Sequence, residues 1–191
     1  MWVAKRGRLD IELAIYFLCT RVSCSTEEDW EKLRRLLSYL QQTKDTCRIL
    51  GADGLEILQT LVDASCSTHE VMKSHTGGIM SMGHGVIHNK CSTQKLNTKS
   101  STEAELVGAI DYIPYTLWTK NFLEEQEYNK RHIFYQDNQS AMRIEKNRRS
   151  SAGEKSSHIH IRYFFIKDVL LSENIDLQYC PTERMIADFF Y

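Results

Sequence analysis

At 191 residues the chain has room for one ordinary domain and an appendage, and 42% hydrophobic with 26% charged residues is the balance of a folded globular protein, not of a disordered one. A net charge of −1 gives no global attraction for a polyanion, and no apolar run reaches the roughly 20 residues that a membrane-spanning helix needs. The basic start Met-Trp-Val-Ala-Lys-Arg-Gly-Arg lacks the apolar stretch of a secretory signal, so a cytosolic or nuclear compartment is expected, with Cys19, Cys24, Cys47, Cys66, Cys91 and Cys180 reduced and, lacking C-x-x-C or zinc-ligand spacing, free of zinc.

Residues 1–50 read as a helical segment. Asp10 is placed to cap a helix carrying Ile11, Ala14, Ile15, Leu18 and Cys19 on one side. Ser25-Thr26-Glu27-Glu28-Asp29 then offers overlapping capping boxes ahead of Trp30, Leu33, Leu36, Leu37 and Leu40 at helical spacing. Two such helices bury little alone and need something to pack on.

Gly51-Ala52-Asp53-Gly54 is a turn and the expected boundary of a second domain over 51–191. There the period changes to two: Ile57, Leu61 and Asp63 share one strand face, Leu58, Thr60 and Val62 the other. A second strand over 77–83 turns at Gly83-His84-Gly85 into a third over 86–95, forming a meander. Ser100 opens a long helix with Leu106, Ala109, Ile110, Ile113 and Leu117, which Pro114 is expected to kink or divide. A strand over 132–136, a helix over 138–147, a polar loop over 148–157, a helix over 158–171, a strand over 176–180 and a terminal helix entered through Pro181 complete the chain. This order predicts an α/β protein with a mixed sheet and helices on both faces.

Four acidic residues mark four of these segments: Asp63, Glu105, Asp137 and Asp188. Gathered at one place they would repel one another unless divalent cations neutralised them. Each also has a plain structural role open to it. Asp63 either faces the core, where an unpaired carboxylate is costly, or ends its strand in a turn. Glu105 lies beyond the Ser100-x-x-Glu103 capping pattern and is either functional or an ordinary helix-surface glutamate. Asp137 follows a strand, where open α/β sheets bind ligands, or caps the next helix. Asp188 is set four residues after Arg184 and could ion-pair with it. A second cluster is basic: Arg143, Lys146, Arg148, Arg149, Lys155, Arg162 and Lys167 are opposed only by Glu145 and Glu154, which suits either a phosphate-binding face or a solvated surface.

The motifs around these residues have a family resemblance. V-D-A-S at Val62, S-H-T-G-G at Ser74, K-S-S-T-E-A-E at Lys99, Q-D-N-Q-S-A at Gln136, S-H-I-H-I-R-Y at Ser157, and Y-C-P-T-E followed by I-A-D-F-F resemble the ribonuclease H domain of copia-type retrotransposon Pol polyproteins. R-L-D-I at Arg8 and the Glu28 to Leu40 helix resemble the segment that joins the reverse-transcriptase domain to it, with Leu9 where the family usually has Pro.

The resemblance implies a ribonuclease H-like fold with a five-stranded mixed sheet flanked by helices, and a helical connection segment over 1–50. It implies metal-dependent hydrolysis of the RNA strand of RNA–DNA hybrids, with Asp63, Glu105, Asp137 and Asp188 as catalytic and metal-binding acids, and it prefers Glu105 to Glu103 because an apolar and a small residue, Leu106 and Gly108, follow it. Two Mg²⁺ ions, or Mn²⁺, are implied as cofactors, since carboxylates select hard cations; one ion lowers the pKa of the attacking water and the other stabilises the leaving 3′ oxygen. The implied partners are an RNA–DNA hybrid, held through Lys146, Arg148, Arg149, Lys155 and Arg162, and the reverse-transcriptase domain of the parent polyprotein, with no membrane. An intact element would act in the cytoplasm inside a virus-like particle, or in the nucleus.

Some residues depart from the family pattern. His160 stands where members often have Asp, and where cellular ribonucleases H often carry a mobile His before the last acid, the equivalent loop Pro181-Thr182-Glu183 has none. With no Y-x-D-D, protease or integrase motif, the chain is expected to be a C-terminal fragment, and a catalytically inactive remnant that only binds nucleic acid or a polymerase is the alternative reading.

Overall fold

The computed structural model describes residues 2–52, 56–66, 73–128, 131–146 and 157–190, with backbone alone over 143–146 and 157–164. The chain divides into two compact units, Met1–Ile49 and Leu50–Tyr191.

In the first unit α1 (Trp2–Arg6), a 3₁₀ turn (Leu9–Ile11), α2 (Glu12–Thr20) and α3 (Glu27–Gln42) close around Ala4, Ile11 and Leu36. Asp10 does not cap α2, whose N-cap is Ile11. Its carboxylate is taken by Arg8, at 2.7 Å, and by the Tyr39 hydroxyl, at 2.8 Å, while the Arg8 guanidinium also donates to the Thr43 carbonyl and hydroxyl. The R-L-D-I stretch therefore ties the start of the unit to the end of α3. Of the overlapping capping boxes, Thr26 with Asp29 is the one that forms: the Thr26 hydroxyl accepts from the Asp29 N–H, and the Asp29 carboxylate accepts from the Thr26 N–H. Of the apolar residues of α3 only Leu36 is buried, and Trp30 and Leu37 face solvent.

The second unit is built on a five-stranded sheet. In chain order its parts are β1 (Gly51–Ala52), β2 (Ile57–Ser65), β3 (His75–Ser81), β4 (Gly83–His84), β5 (Val86–Thr93), α4 (Ser101–Glu125), β6 (Arg131–Gln136), α5 (Gln139–Lys146), α6 (Ser157–Ser172) and β7 (Ile175–Tyr179). The sheet order is β5-β3-β2-β6-β7, with β1 and β4 forming a separate two-stranded ribbon. The pairs β5-β3 and β3-β2 are antiparallel, and β2-β6 and β6-β7 parallel. Leu58 and Val62 of β2 face α4 and share one core with Leu106, Ala109, Tyr112 and Ile113 of α4, Ala141 and Met142 of α5, and Ile166 and Leu170 of α6. All three α-helices thus press on one face.

Three expectations change. The α-helices do not lie on both faces, because the apolar sides of α4, α5 and α6 form a single core with one side of the strands, and the other side of β3 is met by the terminal segment instead. Pro114 neither ends nor splits α4, which runs unbroken from Ser101 to Glu125. Pro114 is on the exposed side of the helix, where water can replace the hydrogen bond that its missing N–H forfeits. The terminal α-helix is replaced by two 3₁₀ turns, Thr182–Arg184 and Ile186–Phe190. Pro181 stands at the N-cap of the first, outside it, and the broken path removes the i,i+4 spacing that an Arg184–Asp188 pair needs.

Candidate metal centre

Strands β2 and β6 are parallel neighbours, so their carboxyl ends lie side by side, and Asp63 and Asp137 stand at those ends. The first turns of α4 come down over the same place. Gly108 allows this approach, since a Cβ there would already lie 3.3 Å from the Ala64 Cβ. Carboxylate oxygens of Asp63, Glu105 and Asp137 consequently lie within 4.8 Å of one another.

Each acid is held differently. Asp63 is 2% exposed. Its Oδ1 accepts from the Ala64 N–H at 2.8 Å, and its Oδ2, also buried, has no hydrogen-bond partner. Glu105 is 5% exposed; Oε1 accepts from the same Ala64 N–H at 3.2 Å and Oε2 from the Gln136 side-chain amide at 3.1 Å. Asp137 is half-buried, with Oδ2 accepting from the Thr182 hydroxyl at 3.1 Å. It does not cap α5: Asn138 does, through Oδ1 and the Ala141 N–H at 3.0 Å, which leaves the Asp137 carboxylate to the cluster. Glu103 is occupied at the helix start, but only half of the Ser100–Glu103 capping box forms: its N–H donates to the Ser100 hydroxyl, while its carboxylate accepts from the Lys99 N–H at 2.7 Å, one residue before the N-cap.

Asp188 is outside the tight trio. It is exposed on the second 3₁₀ turn, yet near enough for its charge to act on Asp63. The G-G pair of β3 explains how it gets there. Gly77 pairs with Asp63 in the sheet and lies under the 3₁₀ turn; a Cβ on Gly77 would meet the Ala187 carbonyl oxygen at 2.6 Å. Gly78 points to the other face, where a Cβ would run into the Tyr112 ring. Two adjacent glycines let an aromatic of α4 and the terminal turn close on opposite faces of one strand beside the acids.

The electrostatics follow from burial and crowding. Burial, then the charge of Asp137, raises the Asp63 pKa to about 6. Burial, then the charges of Asp63 and Asp137, raises Glu105 further, to about 10, so Glu105 is the group that keeps a proton. No basic side chain among the described residues offsets either shift. The site carries negative charge without a resident counter-ion, and the unpaired Asp63 oxygen fits a hard cation that accepts carboxylate ligands.

Of the nucleic-acid residues expected from sequence, Arg148, Arg149 and Lys155 lie outside the described residues, and Lys146 and Arg162 are placed on α5 and α6 by backbone alone. His160 is on α6 in the same way. Sequence reasoning passed over Gln136, Thr182 and Gln94. Gln136 had a signal: in β6 it shares parity with the buried Phe134, so it puts an amide on an apolar face. Gln94 lies in the loop after β5 and Thr182 opens a short 3₁₀ turn, and neither has a periodic pattern to mark it.

The sheet order, the antiparallel β5-β3-β2 meander with parallel β6 and β7, and acids at the carboxyl ends of the central strands define a ribonuclease H-like fold. Solved structures agree. LC11-RNase H1, isolated from compost by a metagenomic approach, matches 70% of this chain and 91% of its own with a TM-score of 0.54 at 12% identity. RNase H1 from Halobacterium salinarum matches 69% and 92% with a TM-score of 0.50 at 11% identity. No protein-family model matches the chain. In sequence it is 30% identical over 183 residues, 95% of its length, to the retrovirus-related Pol polyprotein from transposon TNT 1-94 of Nicotiana tabacum. It is 27% identical over 184 residues to the corresponding polyprotein from transposon RE2 of Arabidopsis thaliana. The chain is a homologue of plant-transposon Pol polyproteins along nearly its whole length, with a ribonuclease H-like fold, and spans 14% and 12% of those two relatives.

Proposed function

We propose that this protein is the ribonuclease H part of a copia-type Pol polyprotein, cutting the RNA strand of RNA–DNA hybrids with the help of divalent cations. The observation that carries the reading is the trio Asp63, Glu105 and Asp137 within 4.8 Å, on a fold whose relatives include an RNase H1 crystallised with an RNA/DNA hybrid. Asp63, Glu105 and Asp137 would hold the cations, with Asp188 completing the shell from the exposed side. Bound Mg²⁺ or Mn²⁺ would supply the Lewis acidity for activating water and for stabilising the leaving 3′ oxygen.

The chain's own residues prepare that chemistry. The Ala64 N–H donates to both Asp63 and Glu105 and fixes the angle between them. The Thr182 hydroxyl orients Asp137. The buried floor around Asp63 keeps bulk water from screening the cluster, which strengthens every charge interaction inside it. The basic stretch from Lys146 through Arg162 supplies counter-charge for the hybrid backbone, and the helices over 1–50 join the domain to a reverse transcriptase.

The test is cleavage of an end-labelled RNA–DNA hybrid in Mg²⁺ or Mn²⁺. The wild-type chain cuts the RNA strand only with the cation present, and Asp63→Asn loses at least 100-fold in rate. Equal rates for the two proteins, or no cleavage by wild type with either cation, would overturn the reading and favour a binding-only remnant.

A further inference from the structure

We infer that Gln136 is the positioning residue that sets Glu105 for cation binding. Gln136 is fully buried at the last position of β6, between the helix acid and the strand acid that follows it. Its backbone carbonyl accepts from the Cys180 N–H at 2.9 Å, which fixes the main chain to the segment after β7. Its side-chain Nε2 donates to Glu105 Oε2 at 3.1 Å, while Ala64 holds Oε1 from the opposite side at 3.2 Å. One donor on each oxygen leaves the Glu105 carboxylate little freedom to rotate, so its remaining lone pairs keep one direction, toward Asp63 and Asp137. A second amide steadies the backbone behind it: Gln94 Nε2 donates to the Ala104 carbonyl at 2.8 Å and to the Thr76 hydroxyl at 3.0 Å.

The choice of an amide is chemically specific. A basic side chain here would neutralise Glu105 and compete with a cation; a carboxylate would add another negative charge to a site that already lacks compensation. A neutral donor orients without doing either. Gln136 Oε1 is buried with no hydrogen-bond partner, an acceptor facing the same polar interior, and a water brought in with a hydrated cation would satisfy it.

This inference rests on the cation-binding reading, and the test separates the two. The affinity of the full chain for Mg²⁺, and for Mn²⁺, is measured by isothermal titration calorimetry without nucleic acid, alongside melting in EDTA. Gln136→Met keeps the volume and removes the donor; Gln136→Leu is a second apolar variant in case the first folds poorly. Thr116→Val, which breaks a buried hydroxyl pair with Thr60 at the far side of the sheet core, serves as a purely structural control. Outer-shell partners of metal ligands are typically worth 10–100-fold in affinity. Both Gln136 variants are expected to bind the cation 10–100-fold more weakly, with Thr116→Val melting earlier and binding as wild type does. Wild-type affinity in Gln136→Met or Gln136→Leu overturns the inference and leaves the cation site standing. An equal loss in Thr116→Val also overturns it, by making the effect one of general loosening. A wild-type chain that binds neither cation overturns the site and the inference together.

Discussion

The same two elements, α4 and β6, carry opposite kinds of charge at their two ends. At one end, Glu105 of α4 meets Asp63 and the Asp137 that follows β6, with no basic side chain among the described residues to balance them. At the other end, about 22 Å along the helix at 1.5 Å per residue, Lys120 of α4 is 9% exposed and reaches Glu124 and Glu173, each at 3.0 Å. The buried His132 of β6 lies close enough to feel that lysine. One end has a cation built into the chain; at the other, on the proposed reading, a bound cation takes that place. The balanced end serves the fold; the unbalanced end weakens the metal-free fold and is where the proposed chemistry would take place.

Removing one ionisable group at each end should therefore act with opposite signs, at the acidic end by sparing the folded state the proton that Glu105 must take up. Glu105→Gln is expected to give the largest effect. Its new amide can accept from Ala64, and Gln136 can turn its orphan Oε1 to meet the introduced N–H, so packing and hydrogen bonding survive. Hybrid cleavage falls at least 100-fold, about 2.7 kcal/mol of transition-state stabilisation, while melting in EDTA moves to higher temperature. A lower melting temperature in EDTA would contradict the idea that this end is strained by its own charge. Lys120→Met comes next, with the reverse signature. It strips the counter-charge from two glutamates that are themselves over a third exposed, so the loss is about 1–2 kcal/mol in urea unfolding, well below that of a fully buried pair. Cleavage per folded molecule stays within a factor of about two of wild type. A cleavage loss as deep as that of Glu105→Gln would mean that the two ends are coupled.

How much of this contrast was legible depends on how local each cause is. The alternation in β2, the capping residues Ser100 and Thr26, and the turn at Gly83-His84-Gly85 are short-range signals, and the strands and helices they mark are present. The five-stranded mixed sheet followed from their order. Pro114 misled because the cost of a proline depends on which side of the helix faces water, and that is decided by packing. The terminal helix misled because Gly77 lets Ala187 and Phe190 press onto the sheet, a contact between segments more than 100 residues apart in sequence that favours a tight 3₁₀ path over a free α-helix. At the site, the acids stood out by type, but which of them touch was set by parallel pairing of β2 and β6 and by Gly108 under α4. Gln136 and Thr182 were invisible as partners, since nothing in a sequence says that a strand amide meets a helix carboxylate or that a hydroxyl of the terminal turn meets the acid after β6. The balanced end was unreadable for the same reason: Lys120 and Glu173 are 53 residues apart.

The two ends should also differ in how they respond to pH, and the smallest predicted effect separates them. Asp63 and Glu105 have folded pKa values raised to about 6 and about 10, above their ordinary 3.8 and 4.5. The folded state then binds more protons than the unfolded state between those limits, so metal-free stability declines as pH rises through that window, and added Mg²⁺ restores most where the decline is greatest. His132 works the other way. Burial, then the charge of Lys120, lowers its pKa below 6.5, partly opposed by Glu124, so below that value the unfolded chain takes up the proton first and stability declines as pH falls. Both of its ring nitrogens are buried without a hydrogen-bond partner among the described residues. His132→Phe keeps a ring in that space, removes both unmet polar atoms, and is expected to gain about 1 kcal/mol at neutral pH. In EDTA, melting curves from pH 5 to 9 should show both proteins losing stability as pH rises, with wild type gaining less than His132→Phe as pH falls below about 6.5, because His132 offsets part of what the two acids contribute there. Equal gains in the two proteins below pH 6.5 would move the offset to some other group, and an alkaline decline that vanishes in His132→Phe would tie the two ends of the sheet into one titrating system.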